Sequence, residues 1–457
     1  MEDPKKSATP LPFLKSFVVL LTVFVEAMFN SMLYPFVAYM VADFFYWLDR
    51  DDKETDSIVS FYAGLVASCF SLAQFLSSPI WGRVSDKIGR RPVLLIGMIG
   101  NVATAPLFGL APNYTWAIIF RSISGLVNGN TGVAKAYATE ITDDTNSAKL
   151  FSYLGFSWGI GVMLGPILGG GLSRISDKIP SIFSPDGFWG DYPYFLPMLT
   201  SSFISLIGFI IGYFVLTETN RKVKVLKSPW LLTKNSNFLT CTTIYAVSGL
   251  SFLSFQEVFP FWCRALKANG GLGWDSEGDI GLIQSSGGIS VIIFQLFIVP
   301  AASNVYGILS VLKTAWIICV PVFIIIPNIY ELDGVALWLT VVPLYVTFAA
   351  IQTCVLTAIG IGVNNSVDSD LLGTANGFAQ SAVSLLRFIG PAMAGSIFGW
   401  SLNNDLGYPL NSHLIFTLVA LFGLLCIGLL YTLDDSINKR KQLSSVLLPL
   451  IDKDKPS

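Results

Sequence analysis

Glu26, Asn30 and Tyr34 stand at i, i+4 and i+8 within an apolar run, so a helix there carries one polar stripe. A carboxyl on such a stripe suits proton chemistry. Glu26 lies about nine residues into the run, roughly 14 Å deep at the 1.5 Å rise of a helix. Loss of water penalises the ionised form at that depth, so the group can load and unload a proton as a cavity opens to either side. The plainer alternative is a neutral, hydrogen-bonded acid that fixes helix packing.

A second set is Arg121, Gly125, Asn128 and Gly132, spaced 4, 3 and 4 on one helical face. Arginine cannot shed its charge and needs an anion, a carbonyl or a substrate as partner. A structural salt bridge or snorkelling to an interface would also satisfy it, and snorkelling is the expectation for Lys135. The third set, Asn376, Gln380, Ser384 and Arg387, falls at i, i+4, i+8 and i+11 and is polar along its whole face. These four, with Asn30, Tyr34 and Asn128, are expected to line a central cavity and meet substrate; packing bonds between helices are the alternative. Gln284, Gln295 and Gln352 are weaker candidates of the same type, and Glu257 is expected to be a rim residue at the outer mouth.

Two further patterns are mechanical. Gly161-x3-Gly165-Pro166-x2-Gly169-Gly170 places small residues where helices can approach closely, with a proline that removes a backbone bond and kinks the helix. The run Trp81–Leu95 reads as a charged loop carrying Arg83, Lys87, Arg90, Arg91 and Asp86 between two long apolar stretches. Gly82 is expected to permit a tight helix exit. Asp86, held by Arg90, is expected to latch onto a helix N-terminus at Gly373-Thr374, where the dipole favours an anion.

These groups need elements to hold them. The chain has 457 residues, 53% hydrophobic and 13% charged, against about 25% charged for soluble domains. That is too little charge to cover a soluble surface, so lipid must serve as solvent for much of it. A net charge of −2 argues against nucleic acid as partner. The six cysteines are scattered singly and there is one histidine, so neither a disulfide framework nor a metal site is expected. No cofactor is expected either, since no phosphate loop or nucleophile–base set is visible.

A helix needs about 20 apolar residues to span the hydrocarbon core. Twelve such runs are predicted, near 16–41, 58–80, 92–111, 114–138, 149–173, 194–216, 237–260, 278–299, 311–328, 334–360, 373–400 and 411–431. Lysine and arginine gather at the N-terminus, the 81–91 segment, 217–236 and the C-tail, which predicts that both termini are cytosolic. Tyr34-Pro35-Phe36 and Phe259-Pro260-Phe261 lie 225 apart, Gln74-x4-Pro79 and Gln295-x4-Pro300 lie 221 apart, and Gly165-Pro166 and Gly390-Pro391 lie 225 apart. Three matches at nearly one offset predict a six-span unit duplicated in parallel. The expected division is a bundle over 1–216, a linker over 217–236, a second bundle over 237–431 and a tail over 432–457.

The charged segment, with its glycine, Ser85-Asp86 pair and Gly89-Arg90-Arg91 between the second and third spans, resembles the signature of the major facilitator superfamily. Arg121-x3-Gly125 resembles that family's fourth-span motif, whose arginine is associated with proton coupling. The Gly161–Gly170 pattern resembles the antiporter motif of its drug:proton branch. Thr9-Pro-Leu-Pro12, Phe61-Tyr-Ala-Gly64, Asn365-Ser366 and Ser384-Leu-Leu-Arg387-Phe-Ile-Gly390-Pro391 extend the resemblance to its fungal multidrug members and the plant zinc-induced-facilitator-like carriers. The plant carriers' N-terminal cysteine pair is absent, and Thr217-Glu-Thr-Asn-Arg221 lacks their histidine, which puts a zinc-related substrate in doubt.

The resemblance implies an all-α membrane protein with twelve transmembrane helices in two pseudo-symmetric six-helix bundles. It also implies a proton-coupled antiporter, not an enzyme, exporting a small organic solute, drug-like compound or metal chelate from the cytosol. A monomer in the plasma or vacuolar membrane is expected, with Glu26 carrying the proton and Arg121 biasing its ionisation. A facilitator or proton symporter for a small nutrient is the alternative.

Overall fold

The structure is a computed structural model that describes residues 9–47, 53–142, 146–219, 232, 234–367, 372–404 and 406–438. Most of the expected linker and nearly all of the tail lie outside the described residues. The first half contains α1 (Phe13–Met32), α2 (Val37–Phe44), α3 (Lys53–Ile88), α4 (Arg90–Gly109), α5 (Tyr114–Val127), α6 (Asn130–Glu140) and α7 (Ser147–Leu172). The short α8 (Ile175–Lys178) and α9 (Phe188–Asp191) lead to α10 (Phe195–Val215). The second half contains α11 (Ser236–Arg264), α12 (Glu277–Ile293), α13 (Val299–Tyr306), α14 (Ile308–Ile325), α15 (Gly334–Asn365), α16 (Leu372–Asn403) and α17 (Leu414–Leu430).

Ten of the described helical segments are long and apolar enough to cross a membrane. Two more rods complete twelve: the pair α5–α6, and the 17-residue α17. In hydrocarbon every backbone polar group must find a partner within the protein, and the caps follow that demand. Side-chain oxygens of Asn113, Asn235 and Ser276 accept from the N–H groups of Trp116, Phe238 and Asp279 at the starts of α5, α11 and α12. The fourth rod breaks at Asn128-Gly129, and its freed carbonyls are taken up from α3: Ser77 donates to Gly125 and the Trp81 indole to Leu126.

Three expectations about element ends need correction. The charged segment is helix rather than loop: α3 runs to Ile88 and α4 begins at Arg90. The turn is made by Gly89 at φ +106°, whereas Gly82 sits within α3 with open space beside it. The reason is steric, since only the glycine at the positive φ is conformationally required. Pro260 does not close the seventh span: α11 continues through it to Arg264, while the first span does break at Tyr34-Pro35-Phe36 before α2. Between α12 and α13 the eighth rod widens into a π turn over Phe294–Ile298, immediately before Pro300.

The two halves repeat one device on the side where the described chain begins and ends. Glu218, just past α10, accepts from the N–H groups of Arg90 and Arg91 at 2.8 and 3.2 Å. Asn438, just past α17, accepts from the N–H of Leu309 at 3.1 Å, beside Gly307 at φ +78°.

Candidate functional site

A cavity of about 300 Å³ lies between the halves. Its first-half wall comes from α1, α3, α5 and α7, and its second-half wall from α11, α12 with the π turn, α15 and α16. The wall is mixed. Phe70, Trp158 and Phe252 supply apolar surface, while Asn30, Tyr34, Gln74, Gln256, Gln295 and Gln352 supply amide and hydroxyl groups. Arg121, Arg387 and Glu257 supply charge. Gln256 donates to Gln352 at 3.2 Å, and Thr357 donates to Gln295 at 2.8 Å, so part of the amide set is oriented from within.

Glu26 sits one side chain behind this wall. It is buried, and its Oε1 accepts from Gln74 Nε2 at 3.1 Å and from Thr131 Oγ1 at 2.5 Å, while Oε2 has no hydrogen-bond partner. Arg387 and Lys135 are the cations whose fields reach it. Arg121 is buried among three rings, with its guanidinium carbon 4.5 Å from the Phe70 centroid, 4.8 Å from Phe29 and 5.9 Å from Phe108. Such contacts favour a cation, but Nε and Nη1 are left without hydrogen-bond partners. Neither an ion pair nor a hydrogen bond joins Glu26 to Arg121.

The other expected site residues scatter. Asn30, Tyr34 and Arg387 line the cavity, whereas Asn376, Gln380 and Ser384 do not. Asn376 is exposed and donates to Asn364 at 2.6 Å. Asn128 accepts from the N–H of Asn130 at 3.3 Å and caps the restart of the fourth rod. Gly132 has open space beside it. The glycines of the fifth span are packing surfaces: side chains at Gly161, Gly165 and Gly169 would collide with α1, and one at Gly170 with the backbone of α12. Pro166 meets α12 through its carbonyl, which lies against Gly281. Arg90 reaches Glu140 at 3.2 Å and Ser85 at 2.5 Å. The side chains of Asp86 and Thr374, and contacts at Gly373, lie outside what is described.

Glu257 is the main correction. It is 2% exposed and lines the cavity instead of the outer rim. The cause is the length of α11, which adds two turns beyond Glu257 and carries it inward. Gln74 and Gln256 were also missed as cavity residues. Their signal was available, because long amides in apolar spans are as costly as the glutamines that were singled out.

On the face away from the termini, charges close the seam between the halves. Arg264 on α11 meets Asp56 on α3 at 2.9 Å, both buried. Arg174 meets Asp43 at 2.6 Å in its own half and Glu277 of the second half at 3.1 Å. Tyr39 lies between the two guanidiniums, 5.9 Å from each, and donates to the Trp274 carbonyl at 2.7 Å. Arg174 is the one non-glycine residue at positive φ (48°) among the described residues, a strained placement of the kind found at switches. Tyr194, outside the spans, donates to Asp43 at 2.5 Å; burial, and then the Asp43 carboxylate, push its phenol well above the ordinary value.

Backbones also touch at this end. Side chains at Gly64, Gly395 and Gly399 would strike the carbonyls of Pro391, Ser60 and Ser57 across the α3–α16 seam. Across the α7–α12 seam, Gly170 and Gly281 make equivalent contacts with backbone, whereas nearer the termini Gly155 meets the side chain of Gln295 and Gly159 those of Val291 and Ile292. The described seam therefore narrows away from the termini and splays towards them.

A twelve-rod helical membrane protein with a polar, charged chamber at the seam of two repeated halves is a transporter of small molecules. The Major Facilitator Superfamily profile matches residues 19–391, and the chain belongs to that family. It is 33% identical to Protein ZINC INDUCED FACILITATOR-LIKE 1 of Arabidopsis thaliana over 423 residues, covering 88% of this chain and 87% of the relative. It is 25% identical to the Major facilitator superfamily multidrug transporter mfsB of Aspergillus fumigatus, covering 90% and 82%. Its fold is that of the crystal structure of the human organic anion transporter MFSD10 (TETRAN), with a TM-score of 0.65 at 18% identity, covering 92% of this chain and 100% of the other. A bacterial homologue of human lysosomal Spinster, inward-facing and occupied, gives a TM-score of 0.70 at 13% identity, covering 96% and 100%. The family and these relatives are transporters, not enzymes.

Proposed function

We propose that the chain is a proton-coupled antiporter that exports a small organic solute, drug-like compound or metal chelate from the cytosol. Its two bundles, 1–216 and 237–431, rock about the central cavity on the 217–236 linker. The observation that carries this reading is Glu26: a buried carboxyl one side chain from the cavity, held by two neutral donors, with one oxygen unpartnered. That is an arrangement in which a proton can be exchanged without breaking an ion pair. Kinship with a multidrug transporter supports export.

With both termini cytosolic, the splayed seam is an inward-facing chamber. Asn30, Tyr34 and Arg387 meet the solute there, and Arg121 biases the ionisation of the site. Asp86, with Arg90, latches the halves at Gly373-Thr374 in the opposite, outward-facing arrangement. The carrier acts as a monomer in the plasma or vacuolar membrane.

The test begins by comparing metabolites in cells with and without the protein, to choose the solute. Flux of that solute is then followed in vesicles under an imposed pH gradient for wild type and Glu26→Gln. Gradient-driven flux is expected to vanish in the variant, and equal flux in both removes Glu26 from the mechanism. Solute moving in the same direction as protons replaces antiport with symport. For the latch, Asp86→Asn is expected to shift the inward–outward balance read by accessibility labelling, and an unchanged balance refutes it.

A further inference from the structure

Four carboxylates are buried among the described residues: Glu26, Asp56, Glu257 and Glu277. Asp56 and Glu277 each face an arginine across the seam, at 2.9 and 3.1 Å. Glu26 has its two neutral donors. Glu257 alone has neither: its Oε2 is enclosed without a hydrogen-bond partner, and no ion pair reaches it, although it is 2% exposed. A purely structural acid in so dry a place would be expected to have a donor or a cation, because an unpaired buried charge is among the costliest features a fold can hold.

The surroundings of Glu257 point to exchange rather than packing. It lines the cavity from the half that lacks Glu26. The charged and titratable groups that face it are Arg121 on α5 and Tyr34 at the end of α1, both in the first half. Arg387 on α16 lines the same cavity, and Tyr345 on α15 packs against Phe259, two residues further along α11. Arg121 also holds two unpartnered nitrogens. Two groups of opposite charge thus stand on opposite halves of a moving seam, near enough to feel one another and unpaired in this arrangement.

We propose that Glu257 is a second exchangeable-proton site, governed by the approach and withdrawal of Arg121 as the halves rock. When the guanidinium closes on it in the inward-facing chamber, the protonated carboxyl gives its proton to cytosolic water and the carboxylate pairs with the cation. When the guanidinium withdraws in the outward-facing arrangement, the carboxylate takes a proton from water on the opposite side and returns with it, so the unpaired pair in this structure stands before release. Only the O–H bond forms and breaks, and no other reactant is needed. The inference rests on the antiport reading and extends it: each half contributes one proton carrier.

The test is infrared pH-difference spectroscopy of the full chain in lipid vesicles, in the stretching region of the protonated carboxyl. Wild type is expected to show separate titrating components for Glu26 and Glu257. Glu257→Gln deletes one component, Glu26→Gln deletes the other, and Arg121→Gln moves the Glu257 component to a different pH. If Glu257→Gln leaves the difference spectrum intact, the proposal is overturned. Should that variant fail to fold, Glu257→Asp shifts the component if the proposal holds and leaves it in place if it does not. In flux assays Glu257→Gln is expected to halve the protons exchanged per solute, and an unchanged ratio also overturns it. Failure of antiport itself would show separately, as wild-type vesicles without gradient-driven flux, because the infrared titration needs no solute.

Discussion

The clasp away from the termini and the chamber at the seam are built from the same residue types and use them in opposite ways. At the clasp every buried acid has an arginine: Asp56 with Arg264, and Glu277 with Arg174. Glu257, Arg121 and Arg387 in the chamber wall, and Glu26 just behind it, have no ion pair among them. A matched pair holds one arrangement of the halves, whereas unmatched charges can change partners or protonation at small cost. The difference separates a region that fixes a state from one that passes through states.

The sharpest way to break this comparison is to remove a charge from each region. Glu26→Gln is expected to abolish gradient-driven flux while leaving thermal stability within about 1 kcal/mol, since its donors can still bond an amide. Arg264→Ala is expected to do the reverse. It strands Asp56 as a buried charge, at about 3–5 kcal/mol, read as a lower melting temperature and a wider opening in accessibility labelling. The double variant Asp56→Asn with Arg264→Gln is expected to recover most of that loss, and no recovery would show that packing rather than the pair holds the clasp. A smaller effect is expected at Gly395→Leu, where the new side chain meets the Ser60 carbonyl. Overpacking of about 1–3 kcal/mol should push the seam apart and expose the chamber from the clasp side.

The helical architecture was legible in the sequence because hydrocarbon imposes a length on every span. The repeat was legible for a similar reason: close backbone approach requires glycine, as at Gly170 against α12 and its counterpart Gly395 against α3. The chamber was only half legible. Asn30, Tyr34 and Arg387 were found by depth and spacing, but Asn376 and Gln380 share the helical face of Arg387 and lie outside the cavity lining, because that face runs about 16 Å along the helix and the cavity meets α16 only at Val383 and Arg387. Glu257 was misplaced because the seventh span was ended at Pro260, whereas the helix runs on through the apolar Phe261-Trp262-Cys263 to Arg264.

Chemistry also fails to repeat where packing does. At the offset of 225, Glu257 corresponds to Met32, Arg387 to Val162, Glu26 to Ser251 and Arg121 to Val346. Duplication copied the scaffold, and the charges differ between the copies.

The π turn over Phe294–Ile298 has a further geometric result. It accommodates one surplus residue, and one residue of α-helix is about 100° of rotation. Past that point the eighth rod is out of phase with the second, its counterpart by descent. Pairing the halves residue for residue therefore misjudges which flank of Val299–Tyr306 meets lipid.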